Sequence, residues 1–336
     1  MSAGWVAGSV RARALARRRI GPQEARKLAA CRSLDEALAR LAASPYRIGP
    51  AAGQAGRRDR PLASPGSASH EEVGALEAAQ NAIADGLLWD LRVLTGWLPQ
   101  GGAQLMRTLA GWYEIANVSE RVAELSGRPP GHVFRLGALA TAWPKLRQAG
   151  SRTELRSVLA ASAWKDPGGD SAAALQIGMR ARWAQRVAAL GEPAQTWAAS
   201  GLALLLAGER AGAEGQDGAE WPAEPRNPVL TSAAAAVLGP RAARAASLTE
   251  LAASLPARLS WVLKPARDAA LLWQGEVGWW ARIERDGRDL LAGSGLDRRP
   301  VLGAVAVLAC DARRVGAALE MAARGGGPLE VFDAVA

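Results

Sequence analysis

Apolar residues recur along most of the chain at intervals of three and four, the spacing of one face of an α-helix. In the stretch SLDEALARLAAS, residues 33–44, the stripe consists of Leu34, Ala37, Leu38, Leu41 and Ala42. Alternating apolar and polar positions are absent over useful lengths, and β-branched and aromatic residues are too sparse for a large sheet. The pattern predicts an all-α protein.

The same helix-start sequence occurs three times in the chain. The copies are SLDEALARLAAS (33–44), SRTELRSVLAAS (151–162) and SLTELAASL (247–255), and their serines lie 118 and then 96 residues apart. Each begins with Ser-x-x-Glu and places a leucine eight residues after the serine. This combination separates the three copies from other Ser-x-x-Glu matches in the chain.

Ser-x-x-Glu before an apolar stripe predicts a capping box at the start of a helix. The serine hydroxyl accepts a hydrogen bond from a first-turn amide, and the glutamate reaches back to the amide of the cap. The residues assigned to these helix caps are Ser33, Glu36, Ser151, Glu154, Ser247 and Glu250.

The upstream sequence also repeats. Over 20 ungapped positions, residues 27–46 and 145–164 share eight identities. This similarity indicates an internal repeat of about 112 residues, one third of the chain. Breaker-rich stretches then divide the chain into three similar helical segments, 1–125 with a flexible loop at 49–69, 126–228 ending in a second loop, and 229–336.

The net charge does not change the prediction of three helical segments. The net charge of +9 comes from 37 Arg and four Lys against 32 carboxylates, which permits a nucleic-acid or anionic-membrane partner. The densest run, RARALARRR, distributes its arginines around a helix instead of along one face. We therefore expect no nucleic-acid partner, and a basic all-helical nucleic-acid-binding protein is the alternative interpretation.

Residues for catalysis or metal binding are few. The chain has two histidines, His70 and His132, and two cysteines, with no metal-ligand spacing and no phosphate-binding loop. We expect no catalytic residue, no cofactor and no metal, and hence not an enzyme. The longest apolar runs are too short to span a bilayer, so we expect a cytoplasmic or peripheral protein.

The 13 tryptophans fit core packing better than base stacking, because most stand singly in apolar helical patterns, such as Trp89, Trp183 and Trp197. Trp279 and Trp280 are the exception. Adjacent helix positions point about 100° apart, so one of the two is free to face a partner.

Four segments carry a family likeness. The opening runs through EARKLAACRSLDEALARLAASPY to Tyr46, AGWYEIANVSERVAEL contains Tyr113 and Asn117, WWARIERDGRDLL contains Ile283, Glu284 and Arg285, and the closing helix is VLGAVAVLACDARRVGAALEMAARGG. Together they resemble the C-type central-stalk component of the V/A-type ATP synthases, the counterpart of the d-type component of eukaryotic vacuolar ATPases. The closing helix departs from the family: Asp311 is followed by Arg313 and Arg314 where Asn-Leu-Arg is usual.

The resemblance implies three helical subdomains in a pseudo-threefold, funnel-like arrangement. It also implies a non-catalytic rotor component, a socket that links the soluble central shaft (D- and F-type subunits) to the membrane ring proteolipid and transmits torque for proton transport or ATP synthesis. Such a protein lies peripherally on the cytoplasmic side of the cell membrane. An orphan helical scaffold is a further alternative. The residues we assign to partner interfaces are Arg11, Arg13, Arg17, Arg18, Arg19, Trp279 and Trp280.

Overall fold

The computed structural model of the chain describes residues 2–46, 48, 68–217, 227–266 and 268–335. Throughout these residues the regular structure is helical and contains no strand, which confirms the all-α prediction. No helix in the described ranges is long and apolar enough to cross a bilayer.

Sixteen α-helices occur in the described residues, numbered here in chain order. The first eight are α1 Ala3–Ala16, α2 Gly21–Ala29, α3 Leu34–Ala42, α4 Ala68–Thr95, α5 Gln100–Leu109, α6 Gly111–Leu125, α7 Trp143–Leu146 and α8 Arg152–Ala160. The others are α9 Ala172–Ala188, α10 Ala194–Asp217, α11 Pro228–Val237, α12 Pro240–Ala243, α13 Leu248–Ser254, α14 Leu272–Ala292, α15 Arg298–Ala323 and α16 Leu329–Val335.

The helices belong to two compact units. Unit 1 combines the two ends of the chain, Met1–Gly102 and Ile283–Ala336, and unit 2 is Ala103–Arg282. The three-part division at residues 125/126 and 228/229 is a different partition, and it remains a prediction.

Part of the predicted loop at 49–69 is helical. Residues 49–67 lie outside the described residues, but Ala68 and Ser69 already belong to α4. The helix therefore begins earlier than the breakers suggest. The second loop, predicted at residues 212–228, is also shorter than predicted, because α10 continues to Asp217 and α11 begins at Pro228.

In the described part of the chain, three hydrophobic clusters each contain one of the three capped helices. In unit 1 the cluster includes Leu28 of α2, Leu38 of α3, Ile83 of α4 and Leu319 of α15. In unit 2 one cluster joins α6, α8 and α9 around Leu155 and Trp164. The other cluster of unit 2 joins α10 to α13 around Leu206, Leu230 and Leu251.

A common order of elements surrounds each capped helix. A helix with proline in its first turn comes before it, at Pro22 in α2, Pro144 in α7 and Pro240 in α12, a position that suits the fixed φ of proline. A long helix follows it: α4, α9 or α14. A further long helix packs into the same cluster, α15 for α3, α6 for α8 and α10 for α13.

Candidate functional site

The three serines cap their helices with the same geometry. Ser33 Oγ accepts from Glu36 N at 3.2 Å, Ser151 Oγ from Glu154 N at 3.1 Å, and Ser247 Oγ from Glu250 N at 3.0 Å. The φ and ψ angles of the serines agree closely, from −153° and 158° at Ser33 to −156° and 164° at Ser247. Three separate sites thus share one local structure.

The return bonds of the glutamates reach one residue further than the cap itself. The carboxylate of Glu36 accepts from Arg32 N at 2.9 Å, that of Glu154 from Gly150 N at 2.8 Å, and that of Glu250 from Ala246 N at 2.7 Å. In all three copies the glutamate satisfies the amide of the residue before the serine. It therefore fixes the chain that enters the helix as well as the helix start.

In unit 2, two charged residues of α6 hold the helix pair α7–α8. Glu114 is buried, and its carboxylate accepts from Thr141 N at 2.7 Å and Ala142 N at 2.5 Å, at the start of α7. Arg121 donates to Ala149 O at 2.8 and 3.2 Å, two residues before Ser151. The two residues are seven apart on α6 and so lie on one side of that helix.

In unit 1, Asp311 of α15 holds the start of α2 in the same way. Its fully buried carboxylate accepts from Gly21 N at 2.8 Å, from Ile20 N at 3.0 Å and from Tyr46 Oη at 2.9 Å. Tyr46 lies four residues after the end of α3, so this one carboxylate ties the proline-started helix and the chain that leaves the capped helix to α15.

Arg210 of α10 makes the third tie, in unit 2. Its fully buried guanidinium donates to Ala243 O at 2.6 Å and to Ala245 O, two residues before Ser247. The carbonyl two residues before the capping serine is thus bound by Arg210 here and by Arg121 in the α7–α8 pair. We call these four tying residues, Glu114, Arg121, Arg210 and Asp311, the backbone clamps.

On α6, α10 and α15 the clamps occupy one or both of two positions, which lie seven residues apart along the helix. Helix α6 has both charges, at Glu114 and Arg121. Helix α15 has the carboxylate and then Ala318, and α10 has the arginine preceded by Ala203, both alanines being fully buried. Each long helix therefore keeps at least one of the two clamps.

Glu284 and Arg314 form an ion pair inside unit 1. The guanidinium donates to the carboxylate at 2.6 and 3.4 Å, and the side chains are 12% and 9% exposed. Burial acts to raise the pKa of Glu284, but hydrogen bonding to Arg314 and the charges of Arg314 and Arg288 outweigh it and hold this pKa below its usual range. The pair joins α14 to α15.

Asn117, from the family-like segment of α6, holds the chain beyond α6 by its backbone. Its side-chain amide donates to Phe134 O at 2.9 Å, and its oxygen accepts from Phe134 N at 2.8 Å. Tyr113, one turn earlier, packs edge-on against the Phe134 ring at 5.0 Å between centroids. Tyr113 and Asn117, at positions i and i+4 of the helix, therefore both contact Phe134.

The arginines assigned to a partner interface differ in their surroundings. Arg13 donates to the carbonyl oxygens of Leu291, Gly293 and Gly295 and so closes the end of α14. Arg18 pairs with Asp90 at 3.3 Å, and Arg19 donates to Ala16 O at 3.2 Å.

The remaining two arginines of this run are Arg11 and Arg17. Arg17 is exposed and Arg11 is half-buried. The interface role of all five arginines remains a prediction.

Trp279 lies inside unit 2. Its Nε1 donates to Trp197 O at 2.8 Å, and its ring lies against Gly201, where an added Cβ would meet it at 3.0 Å. Trp280 is half-buried and packs on Trp279 at 5.0 Å. The interface role of this pair also remains a prediction.

The core assignment of Trp89 is wrong. Its side chain is 59% exposed and lies under the Arg92 guanidinium. Leu88, Leu91 and Leu94 fill the buried side of α4, and Trp89 points about 100° away from Leu88. Trp197 is buried and Trp183 is half-buried.

The backbone clamps were missed by the sequence analysis, although they leave a signal. Asp311 interrupts an apolar run in VLGAVAVLACDARRVG, and Arg210 follows the apolar run LALLLAG. A charge on the apolar side of a helix must find partners in the interior. The sequence does not name those partners.

No family model matches the chain, and no curated protein matches it either. Within the described ranges, no group of three or more His, Cys, Asp or Glu residues is arranged to hold a metal ion.

Proposed function

We propose that this chain is a non-catalytic rotor component of a V/A-type ATPase. In this role it forms a socket that receives the central shaft of D- and F-type subunits and sits on the proteolipid ring of the membrane. It makes and breaks no covalent bond, and it transmits torque between the ATPase head and the ring. The observation that carries the proposal is the threefold recurrence of one clamped helix pair.

The order of the clamps supports a cyclic arrangement of three similar subdomains. The last long helices of the predicted segments 1–125, 126–228 and 229–336 are α6, α10 and α15. Clamps on α6 and α10 bind the helix pair of the next segment, and Asp311 on α15 binds the pair of the first segment. This order is the one expected of three repeats in which each long helix holds the helix pair of another repeat.

The clamps also suit a part that carries mechanical load. Each joins segments that are apart in sequence, Asp311 and Tyr46 by 265 positions, through hydrogen bonds that involve a charged group. Such bonds are shorter and stronger than neutral ones, and the dense packing of alanine and leucine around them resists compression. Force applied to one helix pair therefore passes to the next segment without large local yielding.

Co-purification tests the proposal. An affinity-tagged full-length chain is mixed with the D- and F-type shaft subunits and with detergent-solubilised ring from the same cells, and the bound proteins are identified by mass spectrometry. We expect both shaft and ring to bind. Failure of both to bind across a range of salt and detergent conditions would remove the rotor proposal.

A second measurement separates the nucleic-acid alternative. Arginine-driven DNA binding weakens steeply with salt, with a slope set by the number of phosphates contacted. We expect no DNA retention at physiological salt. Strong retention there, together with no binding to shaft or ring, would favour the alternative.

A further inference from the structure

A layer of tryptophan and arginine side chains covers one side of α6 and α9 in unit 2. Trp112 is 47% exposed, packs against Trp183 at 5.7 Å, and has the Arg180 guanidinium over its ring at 5.3 Å. Further along α9, the Arg186 guanidinium lies over the ring of Trp164 at 4.8 Å. Trp164 itself is 1% exposed.

Three buried donors in this layer have no acceptor among the described residues, and one of them is Nε of Arg180. Among the described residues, neither Nη1 of Arg186 nor Nε1 of Trp164 has a hydrogen-bond partner. The Arg186 guanidinium carbon lies 4.8 Å from the centre of the Trp164 ring, so the two unpaired N–H groups belong to neighbouring side chains. Buried donors are nearly always paired in native proteins, so unpaired ones indicate that a partner is missing.

Positive charge in the same region is not balanced. Arg107 and Glu114 are the charged neighbours that act on Arg186: burial lowers the pKa of Arg186, the Glu114 charge opposes this, and the Arg107 charge lowers the pKa further. Both Glu114 oxygens are already engaged with the amides of Thr141 and Ala142. The charge of Glu114 still acts on Arg186, but the hydrogen bonds of the Glu114 carboxylate go to these two amides.

We propose that Arg186 and Trp164 form a binding site for an oxyanion, a phosphate or carboxylate group. An oxyanion accepts from the guanidinium and from the indole N–H at once, and it supplies the missing negative charge. Gly111 helps to build the site, because a Cβ there would meet Trp183 at 2.9 Å and Trp164 at 3.1 Å. The inference concerns unit 2 alone and does not depend on the rotor role.

The test is a calorimetric titration of the full-length chain with inorganic phosphate, at constant ionic strength set with chloride. We expect saturable binding by the wild type. Arg186→Gln removes the charge and Trp164→Phe removes the N–H but keeps an aromatic ring, and each is expected to weaken binding by about tenfold. Arg147→Gln, which removes an exposed arginine of the same unit, is expected to leave the affinity unchanged.

A second arm uses acetate and a tetraglutamate peptide in place of phosphate. Binding of phosphate favours a free anion as the occupant, and binding of the peptide alone favours a carboxylate carried by a protein. The wild type decides the question even if a variant fails to fold, which far-UV circular dichroism would show. Absence of binding in both arms, or equal affinity of wild type and folded Arg186→Gln, would overturn the proposal.

Discussion

At the scale of single residues, the charges buried in this protein serve the main chain. Glu114, Asp311 and Arg210 are each at least 99% buried, and each binds backbone groups at the end of another helix. Helix ends carry amide and carbonyl groups without helical partners. A clamp therefore stabilises a short helix and fixes its position on a long one in the same interaction.

Asp311→Asn tests the clamp with the most donors. The new side chain keeps one acceptor oxygen for three donors and brings an amide that itself donates, so we expect the free energy of unfolding to fall by about 2–4 kcal/mol. Tyr46→Phe removes one of the three donors and should cost about 1 kcal/mol. Urea denaturation measures both, with exposed Asp35→Asn as the control. A loss below about 1 kcal/mol for Asp311→Asn would contradict the clamp.

Glu284→Gln tests the ion pair through pH. The folded protein holds the pKa of Glu284 below its usual range, so the folded state binds this proton less readily than the unfolded state. Its contribution is fully present above the unfolded value of about 4.3 and is lost as the pH falls through the folded value. We expect the variant to show a weaker decline of stability than wild type as the pH falls below about 4.3.

The control for this pH series is Glu320→Gln. Glu320 pairs with Arg324 on α15 but is exposed, with both side chains more than 40% accessible, so its substitution should leave the pH dependence close to that of wild type. Urea denaturation at several pH values gives the comparison. Identical slopes for wild type and Glu284→Gln would show that the pair does not act as described.

At the scale of helices, features set by neighbouring residues could be predicted from the sequence, and contacts between distant residues could not. The caps at Ser33, Ser151 and Ser247 follow from residues within four positions of each other, so their pattern is visible in one dimension. The tie between Tyr46 and Asp311 depends on which long helix packs against α3, and no local pattern states that. Trp89 was misplaced because five of the seven residues at 87–93 are apolar, and one helix face cannot bury them all.

The three caps give a prediction at this scale. Ser33→Ala, Ser151→Ala and Ser247→Ala should each lower the free energy of unfolding by about 1 kcal/mol. Because the serines start helices of three different hydrophobic clusters, the losses should add to within about 0.5 kcal/mol. Chemical denaturation measures them, and Thr249→Ala, an exposed change inside α13, is the control. A triple variant far from the sum would show that the caps interact.

At the scale of the whole molecule, the last long helix completes the hydrophobic core around the first capped helix. The cluster and clamp of unit 1 join α2 and α3 to α15, so the first capped helix has no complete core without the last long helix. The all-helical class was predictable from periodicity, because helical spacing extends over most of the chain. The pairing of the first segment with the last was not, because it depends on packing between residues that are 290 positions apart at Gly21 and Asp311.

Removal of residues 298–336 tests this completion. Without α15 and α16 the apolar faces of α2 and α3 lose their partner, and we expect the amides of residues 21–42 to lose protection from hydrogen exchange by at least about tenfold. Amides of unit 2, such as those of α11, should keep their protection because their cluster is intact. Unchanged protection of α2 and α3 would contradict the arrangement.

Mechanical coupling, the role proposed for this chain, can be measured in a reconstituted rotary complex in lipid vesicles. ATP hydrolysis and ion uptake are recorded together, with this chain omitted and then added back. We predict that hydrolysis without the chain drives little or no ion uptake, and that the added chain restores uptake per ATP. Full uptake in its absence, or no recovery on its addition, would contradict the account.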